Sequence, residues 1–261
     1  MIILLTDYFM KKIILISCFF MAFSVRLLAQ SSDEKPINLL KLNLTGIILN
    51  NYTFQYERSL KKKISLALSF RFMPYSSLPI KGIVRDALGN NNPDSYGVID
   101  RFKVSNISFT PEVRFYKGKK VGQGFYLAPF YRFVRFNSND LLIFYQDKNV
   151  INKVDTIIFK GNLTGNSIGI MAGVQWIIKK HFCIDLNIAG PHFGISNGSF
   201  SGTTDYNLTD ADKSEIEKQI NNLNIPLTKI SYDYPSHKIA RLKFSGPWGG
   251  IRAGLSIGVK F

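Results

Sequence analysis

Cysteine is almost missing from this sequence. Two residues of 261, Cys18 and Cys183, exclude a disulfide-stapled scaffold, and Cys183 has no nearby Cys or His pair at zinc-ligand spacing. Cys183 therefore reads as inert packing. No glycine-rich phosphate loop follows a strand and opens a helix, which removes nucleotide chemistry. The three histidines, His181, His192 and His237, share neither triad nor metal spacing, so no catalytic residue, cofactor or metal is expected. Past residue 30 no run of about 18 uncharged apolar residues occurs, which argues against a helical membrane span. Carboxylates are scarce: 18 Asp and Glu against 33 Lys and Arg leave a formal charge of +15. Such a surplus suits nucleic acid, anionic lipid or an acidic polysaccharide, and charge alone does not choose among them. With 46% hydrophobic residues the chain is too apolar for a disordered tail.

Met10-Lys11-Lys12, the apolar run Ile13 to Val25 and the exit Leu27-Leu28-Ala29 have the three parts of a secretory signal. Residues 1–29 are expected to be that signal, with Met10 as the true start, followed by a short leader over 30–38. Export removes nucleic acid from the candidate partners. Leu15-Ile16-Ser17-Cys18 loosely matches an acylation box, but Phe19 to Phe23 carry the apolar core beyond it.

What is present in quantity is period-two alternation, the mark of strands with one apolar face. Eight strands are predicted. Their apolar faces are Leu40/Leu42/Leu44, Tyr52/Phe54/Tyr56, Ile64 to Phe72, Ile107/Phe109/Val113/Phe115, Phe125/Leu127/Tyr131/Phe133, Ile168 to Trp176, Phe182 to Ile188, and Ile251 to Phe261. The connections alternate in length. Lys61 to Lys63, Lys117 to Gly122 and Lys179-Lys180 are short and basic, whereas 75–103, 137–165 and 196–240 are long and polar. Short turns at one rim and long loops at the other, with an even strand count, form the layout of an all-β, up-and-down transmembrane β-barrel over 39–261. Leu141 to Tyr145 and Thr156 to Phe159 are either extensions above the membrane or an extra hairpin.

A soluble lipocalin-like barrel is the rival. It would carry charges outside, whereas here Lys41, Gln55, Glu57, Arg71, Glu112, Arg114, Arg132, Asp185 and Arg252 lie opposite a nearly uncharged apolar band. In lipid that band points outward. The polar set then fills a narrow interior, and its five cations and three anions are expected to pair as an ion ladder. Glu57, Glu112, Arg114 and Arg132 are also the groups that could gate a narrow pore or hold an anion. Tyr52, Tyr75, Tyr116, Phe125, Phe136, Trp176 and Trp248 near strand ends fit aromatic girdles.

The stretch from Gly249 to Phe261, with Leu255, Ile257, Val259 and the final Phe261 on one face, resembles the terminal signal read by the outer-membrane assembly machinery of Gram-negative bacteria. Tyr56-Glu57-Arg58, Pro111 to Tyr116, Gly124 to Pro129 and Gly246-Pro247-Trp248 are similar to small exported barrels of OmpA/OmpX-type architecture, a family described only as a domain of unknown function. The resemblance covers roughly Lys41 to Phe261. It implies the fold and an outer-membrane location, and it brings no catalytic residues.

In the last long loop Thr209-Asp210-Ala211-Asp212 resembles a capping box, and Ile216, Ile220 and Leu223 follow at helical spacing, predicting one short helix that caps the mouth. The expected function is structural or surface-interacting, with outer-membrane lipid, the assembly machinery and an extracellular ligand as partners. The alternatives are a narrow pore for small solutes, a lipid-modifying enzyme with His237 as base near Ser231 and Ser236, and a secreted ligand-binding barrel.

Overall fold

The computed structural model describes residues 36–77, 103–118, 120, 122–146, 154–221 and 227–261. The expected signal segment, most of the leader and most of the 75–103 loop lie outside them. Among the described residues there are nine antiparallel strands: β1 (Asn38–Asn43), β2 (Tyr52–Lys61), β3 (Ile64–Ser77), β4 (Lys103–Tyr116), β5 (Gly124–Gln146), β6 (Val154–Ile178), β7 (Phe182–Thr203), β8 (Lys229–Ser236) and β9 (Ile239–Lys260). Their order is β1-β2-β3-β4-β5-β6-β7-β9-β8, and β9 pairs back onto β1, so the sheet closes into a ring of eight strands. The seam holds five residue pairs, from Leu39↔Lys260 to Asn43↔Ser256.

The prediction of eight strands is corrected to nine. β8 pairs only with the upper part of β9, from Lys229↔Ser245 to Ser236↔Ile239. It takes the place beside β9 that the short β1 leaves empty. The expected loop 137–165 is also largely strand, and 196–240 holds strand at both of its ends. β5 runs on to Gln146, β6 starts at Val154 and β7 reaches Thr203, so Leu141 to Tyr145 and Thr156 to Phe159 are extensions of ring strands. β1 is shorter than expected. Asn43 accepts a hydrogen bond from the Gly46 N–H at 2.6 Å and caps a one-turn helix α1 (Leu44–Ile48), which replaces the simple turn expected at Asn50-Asn51.

A second helix, α2 (Asp210–Asn221), packs over the extensions of β5 to β9. Thr209 Oγ1 donates to Asp212 Oδ2 at 2.7 Å and the Asp212 N–H returns to Thr209 Oγ1 at 3.2 Å, a reciprocal cap. Ile216 and Ile220 are buried against Ile157, Phe159, Ala240 and Leu242, while Leu223 lies outside the described residues. The Tyr234 hydroxyl of β8 donates to Glu217 Oε1 at 3.1 Å. Ile216→Ser is expected to release α2, because a fully buried apolar side chain is lost from this cluster, for about 2–4 kcal/mol. Limited proteolysis should then cut between β7 and β8 while the ring stays intact. Burial and the Glu217 carboxylate hold the Tyr234 hydroxyl above its ordinary range. The contact it makes is therefore fully present below the ordinary tyrosine value of about 10 and weakens as pH rises beyond it.

The two faces of the ring are inverted relative to a protein folded in water. Inward positions are polar: Lys41, Glu57, Ser65, Ser69, Ser108, Thr110, Glu112, Arg114, Gln175 and Asp185 are all buried. Outward positions are apolar and exposed, including Leu66, Leu68, Phe70 and Phe72 on β3, Ile107, Phe109 and Phe115 on β4, and Ile251, Ile257 and Val259 on β9. The belt is bounded. On β9 the outward residues above Pro247 are Ser245, Lys243 and Arg241, and on β7 those above Ile195 are Asn197, Ser199 and Ser201. Three residues expected in girdles point inward instead. Tyr116 is buried, and Phe136 and Trp248 tilt against each other 5.6 Å apart inside the ring, because all three share strand parity with Arg114, Arg132 and Arg252. Tyr75, Phe125 and Trp176 are exposed on the outside; Tyr52 is half-buried against Phe72.

Candidate functional site

The interior at the short-turn end is filled by one charged cluster. Parity delivers Lys41 from β1, Gln55 and Glu57 from β2, Glu112 and Arg114 from β4, Gln175 from β6 and Asp185 from β7 to the same level. Arg114 is 0% exposed and stands at the centre. Its guanidinium donates to Asp185 Oδ2 at 2.7 Å, Gln55 Oε1 at 2.9 Å, Glu112 Oε2 at 3.1 Å and Glu57 Oε2 at 3.2 Å. Lys41 Nζ donates to Asp185 Oδ2 at 2.7 Å and also to Glu57 and Gln175. The second oxygen of Glu112 takes Arg252 Nη2 at 3.0 Å. Three cations thus meet three carboxylates.

Neutral donors complete the cluster. Tyr116 donates to Glu57 Oε1 at 2.6 Å and Tyr126 to Asp185 Oδ1 at 2.8 Å, and the Arg114 guanidinium lies 4.4 Å above the Tyr126 ring. Gln175 fastens the floor by donating to the Gly122 carbonyl at 2.7 Å. A buried ion pair holds only when such extra hydrogen bonds offset its desolvation. Sequence reasoning missed Tyr116, Tyr126 and Gln175 as members. Two-residue counting from Arg114, Arg132 and Gly173 would have found them, since each falls on the inward face. Gly173 itself leaves room for the Tyr126 ring, which any Cβ there would strike.

Above this cluster, toward the long-loop end, is a cavity of about 290 Å³. Arg71, Arg132 and Arg252 line it together with hydroxyls and amides such as Ser69, Thr110 and Asn187, and none of the lining residues is an Asp or Glu. Of the eight ladder candidates, Lys41, Glu57, Glu112, Arg114, Asp185 and Arg252 are joined in ion pairs. Arg71 and Arg132 are not joined to any carboxylate among the described residues.

The other candidates are scattered. His181 lies in the turn after β6, His237 in the turn between β8 and β9, and His192 inside the ring against Phe130, ring centres 6.1 Å apart. Cys183 is buried with Ile37 and Leu39. Leu255, Ile257 and Val259 lie on the outward face of β9 beside the seam, with Phe261 just beyond its end, and Ile257, Val259 and Phe261 are exposed. A second, larger concavity of about 1250 Å³ has apolar walls formed by outward residues such as Leu66, Leu68, Pro111, Pro129, Ile170 and Pro191, with Glu112 and His192 also in its lining.

A family model described as "Protein of unknown function (DUF3575)" matches residues 15–231, which is most of the chain and stops before β9. No curated protein and no solved structure matches.

Proposed function

We propose, for a chain that belongs to the DUF3575 family of proteins of unknown function, that it is an outer-membrane β-barrel with a closed lumen, acting at the surface through its loop end. The observation that carries this reading is the inversion of faces. Each Leu, Ile or Phe left fully in water forgoes up to roughly 1.5–3 kcal/mol, and the outward band holds about twenty such side chains at least partly exposed. In a bilayer the same band is satisfied. Its height also fits: Ile64 to Phe72 on β3 and Ile168 to Ile178 on β6 are close to the roughly 9–11 residues with which a tilted strand crosses the hydrocarbon layer.

Eight strands enclose an interior just wide enough for side chains, and the Arg114 cluster occupies it. Such a barrel conducts no solute, so function moves to what projects above the belt: the strand extensions, α2 and β8. The short turns rich in lysine, Lys61 to Lys63 and Lys179-Lys180, face the periplasm and meet anionic head groups. Outer-membrane lipid is the surrounding partner, and the outward face of β9 is what the assembly machinery reads.

Fractionation of native cells followed by gel analysis with and without boiling tests this directly. Recovery in the outer membrane with faster migration of the unboiled protein is expected. Recovery in a soluble fraction would sink the reading. In planar bilayers the purified protein is expected to give no steady conductance; a stable open level would replace the closed barrel by the narrow pore.

A further inference from the structure

We infer that the cavity above the charged cluster is a binding site for a small, doubly charged oxyanion of the phosphate class, held by Arg71, Arg132 and Arg252. The charge inventory of the interior comes first. Lys41, Arg114 and Arg252 are balanced by Glu57, Glu112 and Asp185 through direct ion pairs. Among the described residues Arg71 and Arg132 remain, two positive charges facing a cavity whose lining residues include no carboxylate. Two surplus cations match one dianion.

The second observation is the state of Arg132. It is 7% exposed, it lines the cavity, and no hydrogen bond or ion pair holds its guanidinium among the described residues. Its nitrogens keep solvent contact across the cavity, so the guanidinium is free to meet an oxyanion there. Arg252 adds a buried Nη1 with no partner, and Arg71 and Arg252 are close enough for their charges to repel. Three like charges thus converge on one space, and among the described residues Glu112 answers only that of Arg252.

Shape and lining support the oxyanion. Guanidinium forks match tetrahedral and planar oxyanions through paired N–H donors. Ser69, Ser108, Thr110, Thr53 and Asn187 add neutral donors around the same space. A volume of about 290 Å³ holds such an ion with several waters, given about 30 Å³ per water, and is far too small for a polymer. Phe136 and Trp248 sit two inward positions nearer the loop end than Arg132 and Arg252 on their strands and reduce solvent access from that side.

Isothermal titration of the full chain in detergent with inorganic phosphate, in a chloride buffer, is the test. One saturable site is expected. Arg71→Gln and Arg132→Gln are each expected to weaken it about 10- to 100-fold, while Arg58→Gln, exposed near the short-turn end, leaves it unchanged. Thermal midpoints separate this from a structural role. Without phosphate Arg132→Gln is expected to raise the midpoint, because a like charge is removed, and phosphate should raise the midpoints of the wild type and of Arg58→Gln well above any effect on Arg132→Gln. Absence of saturable binding by the wild type, or binding undiminished in Arg132→Gln, overturns the inference. A protein that binds phosphate yet fractionates as soluble would keep this site and lose the membrane reading.

Discussion

Arg114→Met is expected to cost about 3–5 kcal/mol, the penalty for leaving buried charges without their partner. The variant retains the volume of the side chain and removes hydrogen bonds to Gln55, Glu57, Glu112 and Asp185 together. Lys41 can still serve Glu57 and Asp185, but it is on the far side from Glu112, which is then left with Arg252 alone. The urea midpoint of the refolded protein measures the loss. Arg114→Lys keeps the charge and loses the planar fork, so a midpoint between the two is expected. A midpoint equal to the wild type in Arg114→Met would show that the cluster contributes nothing to stability. The contrast with Arg132→Gln is sharp: one arginine is fully paired and its loss destabilises, the other is unpaired and its loss relieves repulsion.

Leu68→Arg, at the middle of the outward run on β3, is expected to lower stability in lipid vesicles by about 2–4 kcal/mol, and Ile64→Arg or Phe72→Arg, at its ends, by about 0–1. The depth dependence is the informative part. On a surface facing water, an exposed Leu→Arg change is worth no more than about ±0.5 kcal/mol wherever it falls along the strand. Refolding into vesicles at graded urea, compared across the three variants, therefore reads out whether hydrocarbon lies against this face. A flat series would remove the lipid belt.

Much of the ring was legible in the sequence because period two survives wherever one face is uniformly polar. Ser65, Ala67 and Ser69 alternate with Leu66, Leu68 and Phe70, and the structure keeps every one on its expected side. The short basic turns were legible for the same reason. The extensions were not, since the inward face changes character above the belt. Ile157, Phe159 and Leu242 continue the parity of Gln175 and Ser256 but are apolar and pack on α2, while the outward face becomes charged. Polarity reversed where parity did not, and the segments read as loops. β8 was hidden further by Pro235 and its polar neighbours, and it forms only because the upper edge of β9 needs a partner. Tyr116, Phe136 and Trp248 were placed by their nearness to strand ends, when parity was the stronger guide. His192 lay beyond reach by parity too, since the irregularity between Asn187 and Gly190 exchanges the two faces of β7.

The five-pair seam sets the order of events during assembly. It joins Asn43 to Ser256, 213 residues apart, whereas every other strand pairing in the ring is between consecutive strands or across one loop. Closing so long a loop carries the largest entropic cost in the molecule and rewards it with few hydrogen bonds. Hairpins such as β2–β3 can form early and locally; the cylinder cannot be completed until β9 has been made and delivered to β1. In that interval both strands offer bare edges to any passing chain. The vulnerable intermediate is therefore an open, nearly finished sheet, whose hazard is exchange of its terminal strand with a second copy.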